Sequence, residues 1–148
     1  MATPDQLDEL EAQIDRWAVG ACATHEELVD VQRGEEEGRR WYLRLKGEEK
    51  QTFSVWFKLN QRTLYYETFV APAPHHDPVK LYVYLMRRNM SIYGAAFGIG
   101  EEDALFLSGR LPVEQITDIE LDRILGTLWE ETERCFRAVL RLGFGVGE

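Results

Sequence analysis

Between Trp41 and Val70 the chain shows three strand-like runs, Trp41 to Lys46, Thr52 to Leu59 and Thr63 to Val70, the first two with apolar residues at every second position. The joints are the turn at Gly47-Glu48-Glu49-Lys50 and the short Asn60-Gln61-Arg62. A parallel connection needs about a dozen residues, so these runs can only form an antiparallel meander. Successive side chains point to opposite faces of a strand. Trp41, Leu43 and Leu45 therefore share a face with Phe53, Val55, Phe57 and Leu59, and that face is the core. The opposite face carries Tyr42, Arg44, Lys46, Ser54, Trp56 and Lys58.

Helical patterns flank the meander. Thr3-Pro4-Asp5-Gln6 offers a capping hydroxyl, a proline at the first helical position and a glutamine three residues after the cap. Leu7, Leu10, Ile14 and Trp17 then recur at helical spacing. Leu28, Val29 and Val31 suit a short edge strand, although the segment from Cys22 to Gly38 leaves open whether one forms, and Gly34 to Gly38 reads as an exposed acidic loop. After the proline-broken run Ala71 to His76, Asp77-Pro78 restarts a helix to about Tyr93, with a stripe of Leu81, Tyr82, Leu85, Met86, Ile92 and Tyr93. Ala95 to Ile99 and Ala104 to Gly109 read as two short strands. Thr117-Asp118-Ile119-Glu120 is a capping-box sequence opening a last helix that Gly143 ends. The order α-β-β-β-α-β-β-α, with helices against an antiparallel sheet, defines an α+β fold.

The 148 residues suffice for one domain, 1–148, of which 1–37 form an acidic N-terminal helix and loop. No run approaches the ~20 apolar residues of a membrane span, and Met1 to Asp15 lack a basic start followed by an apolar stretch. The expectation is a cytoplasmic protein without a membrane partner. Cys22 and Cys135 have no CxxC spacing and read as two half-buried thiols in a reducing compartment. The net charge of −9 is segregated: −9 over residues 1–37, +6 over 38–88 and −6 over 89–148. Such a layout can steer a partner or orient a dimer, within a screening length of about 8 Å; well-solvated acidic helices are the plainer alternative.

No GxGxxG follows a strand, and there is neither a GxxxxGK[ST] phosphate loop nor a GxSxG elbow. His75-His76-Asp77 is the one metal-like cluster; adjacent histidines on an extended segment point apart, and Asp77 is taken up in capping. The carboxylate groups Glu26-Glu27, Glu35 to Glu37, Glu101 to Asp103 and Glu130-Glu131 all read as solvated, whereas general acid chemistry needs a carboxyl in an apolar pocket. The expectation is therefore no enzyme, and no catalytic, cofactor-binding or metal residues.

Large aromatics among cations on the polar sheet face, Tyr42, Trp56 and Tyr65 with Arg44, Lys46 and Lys58, need cover. Stacked single-stranded nucleic acid is one occupant, but a charge of −9 repels phosphate and no RNP1 octamer is present. The commoner covers are the chain's own helix or a protein interface, and the sequence leaves both open.

Residues 38–144 carry segments that resemble the YbjN-like family of bacterial proteins. These are RRWYLRLKGEE, LYVYLMRRNMSIYGAAFGIG, GRLP and ELDRILGTLWEETE, whereas the first 37 residues match only as a helix followed by an acidic segment. That family is similar in fold to the class I chaperones of type III secretion, which commonly form homodimers and hold partly unfolded clients. The resemblance implies a non-catalytic binding module, linked to chaperoning, regulation or stress responses, with itself and a protein client as partners and no cofactor. It leaves open any role in secretion. A regulator acting through protein contacts, an enzyme of unrecognised type and a single-stranded nucleic-acid binder are the alternatives. The expected partner or dimer surface is Tyr42, Arg44, Trp56 and Lys58, with Arg87 and Arg88 near its edge unless those two only solvate their helix.

Overall fold

The computed structural model describes residues 1–34 and 38–147. Helix α1 (Pro4–Thr24) leads into β1 (Leu28–Arg33), β2 (Arg39–Lys46), β3 (Thr52–Leu59) and β4 (Thr63–Ala71). Helix α2 (Pro78–Asn89), β5 (Ala96–Ile99), β6 (Leu105–Pro112) and α3 (Asp118–Phe144) complete the chain. All strand pairs are antiparallel, in the order β1-β2-β3-β4-β6-β5. The inward residues of the meander are those the alternation selects. Trp41, Leu43, Leu45, Val55 and Phe57 are buried and join one cluster with Ile14 of α1, Leu81 of α2 and Leu121, Leu128 and Val139 of α3. The helices thus form one layer on one face of the sheet, and the other face is open.

The N-terminal capping box forms as read, with Thr3 and Gln6 exchanging hydrogen bonds. Asp77 caps α2 through the Lys80 amide. The segment after Cys22 does add a strand: β1 lies at the sheet's edge against β2. The acidic run Glu35 to Glu37, read as an exposed loop, lies outside the described residues.

Several boundaries differ from the sequence reading. Helix α2 stops at Asn89, not near Tyr93, because the Asn89 amide turns to β5: its Nδ2 donates to the Phe97 carbonyl (3.0 Å) and its Oδ1 accepts from the Phe97 amide (2.7 Å). Strand β6 runs on past Gly109 to Pro112, pairing Leu111 with Leu64 and burying it. Helix α3 passes through Gly143 and ends on Gly145, whose φ of 69° is the left-handed cap conformation. Gly143 is instead a close-approach residue, since a Cβ there would lie 2.8 Å from Leu81 Cδ2 and 3.2 Å from Pro74 Cβ. Only half of the second capping box forms. Thr117 accepts from the Glu120 amide, but the Glu120 carboxylate pairs with Arg123.

The charge segregation is partly internal. Arg33 of β1 pairs with Glu11 and Asp15 of α1, and Arg39 of β2 pairs with Asp8 and Glu11. Part of the acidity of α1 is therefore matched to the basic strands beneath it. The thiols also differ from expectation, Cys135 being fully buried and Cys22 exposed.

Candidate protein-binding surfaces

Strand register sets out the open sheet face row by row. One row, from β2 to β6, is Arg40, Lys58, Tyr65 and Arg110; the next is Tyr42, Trp56, Glu67 and Ser108. With strands about 4.8 Å apart, a cationic row runs beside an aromatic one. Arg44 extends the face on β2, opposite Asp30. Trp56 and Tyr65 meet edge to face, centroids 5.9 Å apart, and the Arg110 guanidinium lies 5.0 Å from the Tyr65 ring centre. The Tyr65 hydroxyl donates to Glu67 (2.7 Å); burial first, and then that hydrogen bond, raise the Tyr65 pKa. A groove of about 490 Å³ opens beside Trp56 and Tyr65, walled by Phe106 and Ile99.

Tyr42, Arg44, Trp56 and Lys58 thus come together on one surface. Arg87 and Arg88 do not join it, because α2 lies on the opposite, helix-bearing side of the sheet. Arg88 is engaged within that layer: its Nε and Nη2 donate to the two carboxylate oxygens of Glu131 at 3.0 and 3.1 Å. Glu131 is only 8% exposed, which corrects the reading of Glu130-Glu131 as wholly solvated. Tyr84 lies beside this pair, its hydroxyl pKa pushed up to about 12, chiefly by burial. Nothing in the local sequence marks Glu131 as buried, since its partner is 43 residues away.

Helix α2 carries a second surface that sequence reasoning missed. Met86 and Tyr93, assigned there to the inward stripe, are 71% and 77% exposed. Val79 (70%), Val83 (45%) and Met90 (88%) are exposed as well. At 3.6 residues per turn, Val79, Val83, Met86 and Met90 fall within about 60° of one another, opposite the buried Leu81 and Leu85. The helix, with Met90 at its C-cap, is apolar on both sides. Beside it an apolar groove of about 370 Å³ is lined by Tyr82, Met86, Phe97 and Ile99.

Of the other sequence candidates, His75 packs its ring on Phe144, and the His75 and His76 amides donate to the Gly143 carbonyl. His25 lies 3.0 Å from Asp122, which also accepts from Trp17 Nε1. No group of three His, Cys, Asp or Glu residues among the described residues is placed to hold a metal ion, and no described helix is long and apolar enough to cross a membrane.

A six-stranded antiparallel sheet with one open face and three helices on the other is the fold of the type III secretion chaperones. A chain of the HopA1–SchA chaperone–effector complex matches with a TM-score of 0.62 at 12% identity, covering 93% of this chain and 99% of that one. A chain of the ExsC–ExsE complex gives 0.60 at 17% identity, covering 86% and 94%. The heterodimeric ExoU–SpcU complex of the Pseudomonas aeruginosa type III secretion system gives 0.60 at 15%, covering 84% and 95%. At these identities the likeness is one of fold.

Within that fold the chain belongs to the YbjN family, described as "Putative bacterial sensory transduction regulator", whose model matches residues 7–141. The match takes in α1 and β1 as well as the segments quoted from the sequence. Uncharacterized protein Rv0487 of Mycobacterium tuberculosis (strain H37Rv) is 29% identical over 102 residues, 69% of this chain and 56% of that protein. Uncharacterized protein ML2442 of Mycobacterium leprae is 26% identical over 105 residues, 71% and 57%. The chain thus spans little more than half the length of these curated relatives.

Proposed function

We propose that this chain is a non-catalytic protein-binding module of the cytoplasm, chaperone-like or regulatory, that works as a homodimer. The observation that carries the reading is the outward stripe Val79, Val83, Met86 and Met90, on a helix whose other side is already buried in the core. Exposed apolar side chains lined up in this way mark an association surface. A second copy suits it, because a two-fold axis near Val83 and Met86 lays two antiparallel α2 helices stripe against stripe. The open sheet face, with Tyr42, Arg44, Trp56 and Lys58, then stays free for a client, in keeping with the enrichment of Tyr, Trp and Arg at interfaces. The two free cysteines fit a reducing compartment. The chaperone–effector complexes that share the fold support a protein as partner.

Light scattering over a dilution series tests the assembly. The parent is expected at twice its 17.2 kDa mass, Met86→Glu at the single mass, and Trp56→Ala as a folded dimer. A parent that stays at 17.2 kDa at all concentrations sinks the homodimer. A dimer that only Trp56→Ala dissociates moves the interface to the sheet face.

A further inference from the structure

The helix layer uses many of its cations internally. Arg88, Arg123, Arg134 and Arg137 each hold a carboxylate, as do Arg33 and Arg39 beneath α1. The open sheet face differs. Among the described residues neither Arg44, Lys46 nor Lys58 has a carboxylate within ion-pair distance, and Arg110 faces the Tyr65 ring. Of the acids on this face among the described residues, Asp30, opposite Arg44 in register, accepts from Gln32 Nε2 (3.1 Å), Glu67 accepts from Tyr65, and Glu101 lines the groove beside Trp56 and Tyr65. A chain of net charge −9 thus presents unneutralised cations beside the exposed ring of Tyr42 and the half-buried ring of Trp56.

From this arrangement we infer that the open face takes an acidic, amphipathic segment of a partner protein. Its carboxylates lie on Lys58, Arg110 and Arg44, and its apolar side chains rest on Tyr42 and Trp56. The inference rests on reading the chain as a protein-binding module and supplies the chemistry of the partner. Charge complementarity selects the acidic occupant, since a basic or neutral segment would leave those cations desolvated without a partner. The rings disfavour stacked nucleic acid. The Tyr65 and Trp56 rings are inclined at 72° to one another, the face of Tyr65 is taken by Arg110, and Glu67 is the register neighbour of Trp56 where the following base would stack.

Two synthetic peptides of 20 residues built from Glu, Leu and Tyr, identical except that one has Gln at every Glu, test this by fluorescence anisotropy on the full chain at low and high salt. A thymidine oligonucleotide of equal length is the third probe. The Glu peptide is expected to bind, to weaken with salt, and to lose about fivefold or more in affinity with either Arg44→Glu or Lys58→Glu. Lys80→Glu, the same charge change at an exposed position on the helix side, is expected to leave its binding within about twofold. If the Gln peptide binds as tightly, or neither peptide binds, the acidic partner is overturned while the homodimer keeps its separate test. If the oligonucleotide binds more tightly and the same two variants abolish it, both this inference and the protein-binding role of the face fall.

Discussion

Lys50 directs its ammonium group at the carbonyls of Phe69 and Val70, 2.7 and 2.9 Å away, where the register of β4 shifts against β6. The rings of Phe53, Phe69 and Phe136 surround it, with centroids 5.1 to 5.9 Å from the nitrogen. Burial draws its pKa from 10.5 down to about 8. Between these values the unfolded chain binds the proton more strongly than the folded one, so this residue's contribution to stability rises as pH increases from 8 towards 10.5. Below pH 8 both states are charged and the contribution is constant. The urea midpoint of the parent, measured relative to Lys50→Met, is therefore expected to climb between about pH 7.5 and pH 10. A relative midpoint that falls over that interval would mean the carbonyls and rings hold the ammonium more tightly than water does. None of this environment is written around Lys50 in the sequence, where it is one more charge in a polar turn; the rings come from β3, β4 and α3.

At the level of elements, what could be read depended on whether the determining contacts are local. The meander was legible because period-two alternation and short joints are local facts, and β1 was half legible because Leu28 and Val31 face inward while Val29 does not. The end of α2 was not legible, because Asn89 stops it by binding a strand that comes later in the chain. The same distinction separates two glycines of α3 that look alike in sequence. At Gly126 nothing lies within 4 Å of the place a Cβ methyl would take, so Gly126→Ala should stabilise by about 0.5–1 kcal/mol through helix propensity and a less disordered unfolded chain. At Gly143 the methyl would meet the fully buried Leu81 and also Pro74, and overpacking of about 1–3 kcal/mol outweighs that gain. Urea midpoints at unchanged slope are expected to move in opposite directions for the two variants; a stabilising Gly143→Ala would show that the contact between α2 and α3 yields easily.

Across the whole molecule, the charge segregation legible in the sequence has two different destinations. Arg33 and Arg39 beneath α1 and Arg88, Arg123, Arg134 and Arg137 around the helix layer are matched to acids, whereas the sheet face is cationic and the outer side of α2 carries an apolar stripe. The candidate cluster Tyr42, Arg44, Trp56 and Lys58 could be assembled from strand parity alone, whereas placing Arg87 and Arg88 required knowing on which side of the sheet α2 packs. The two-sided apolarity of that helix was hidden because Met86 fits an inward stripe as well as an outward one until Leu81 and Leu85 fix the rotation. If the outward stripe joins two copies, folding and association are linked, and stability depends on protomer concentration. For a dimer of two such chains the melting temperature should rise by about 2 °C for each tenfold increase in concentration. Scanning calorimetry on the parent at two concentrations tenfold apart is expected to show that rise, and Met86→Glu is expected to melt at one temperature at both. A parent whose melting temperature ignores concentration would mean that the stripe is covered by something other than a second copy, and that α2, not only the sheet, is where a different partner docks.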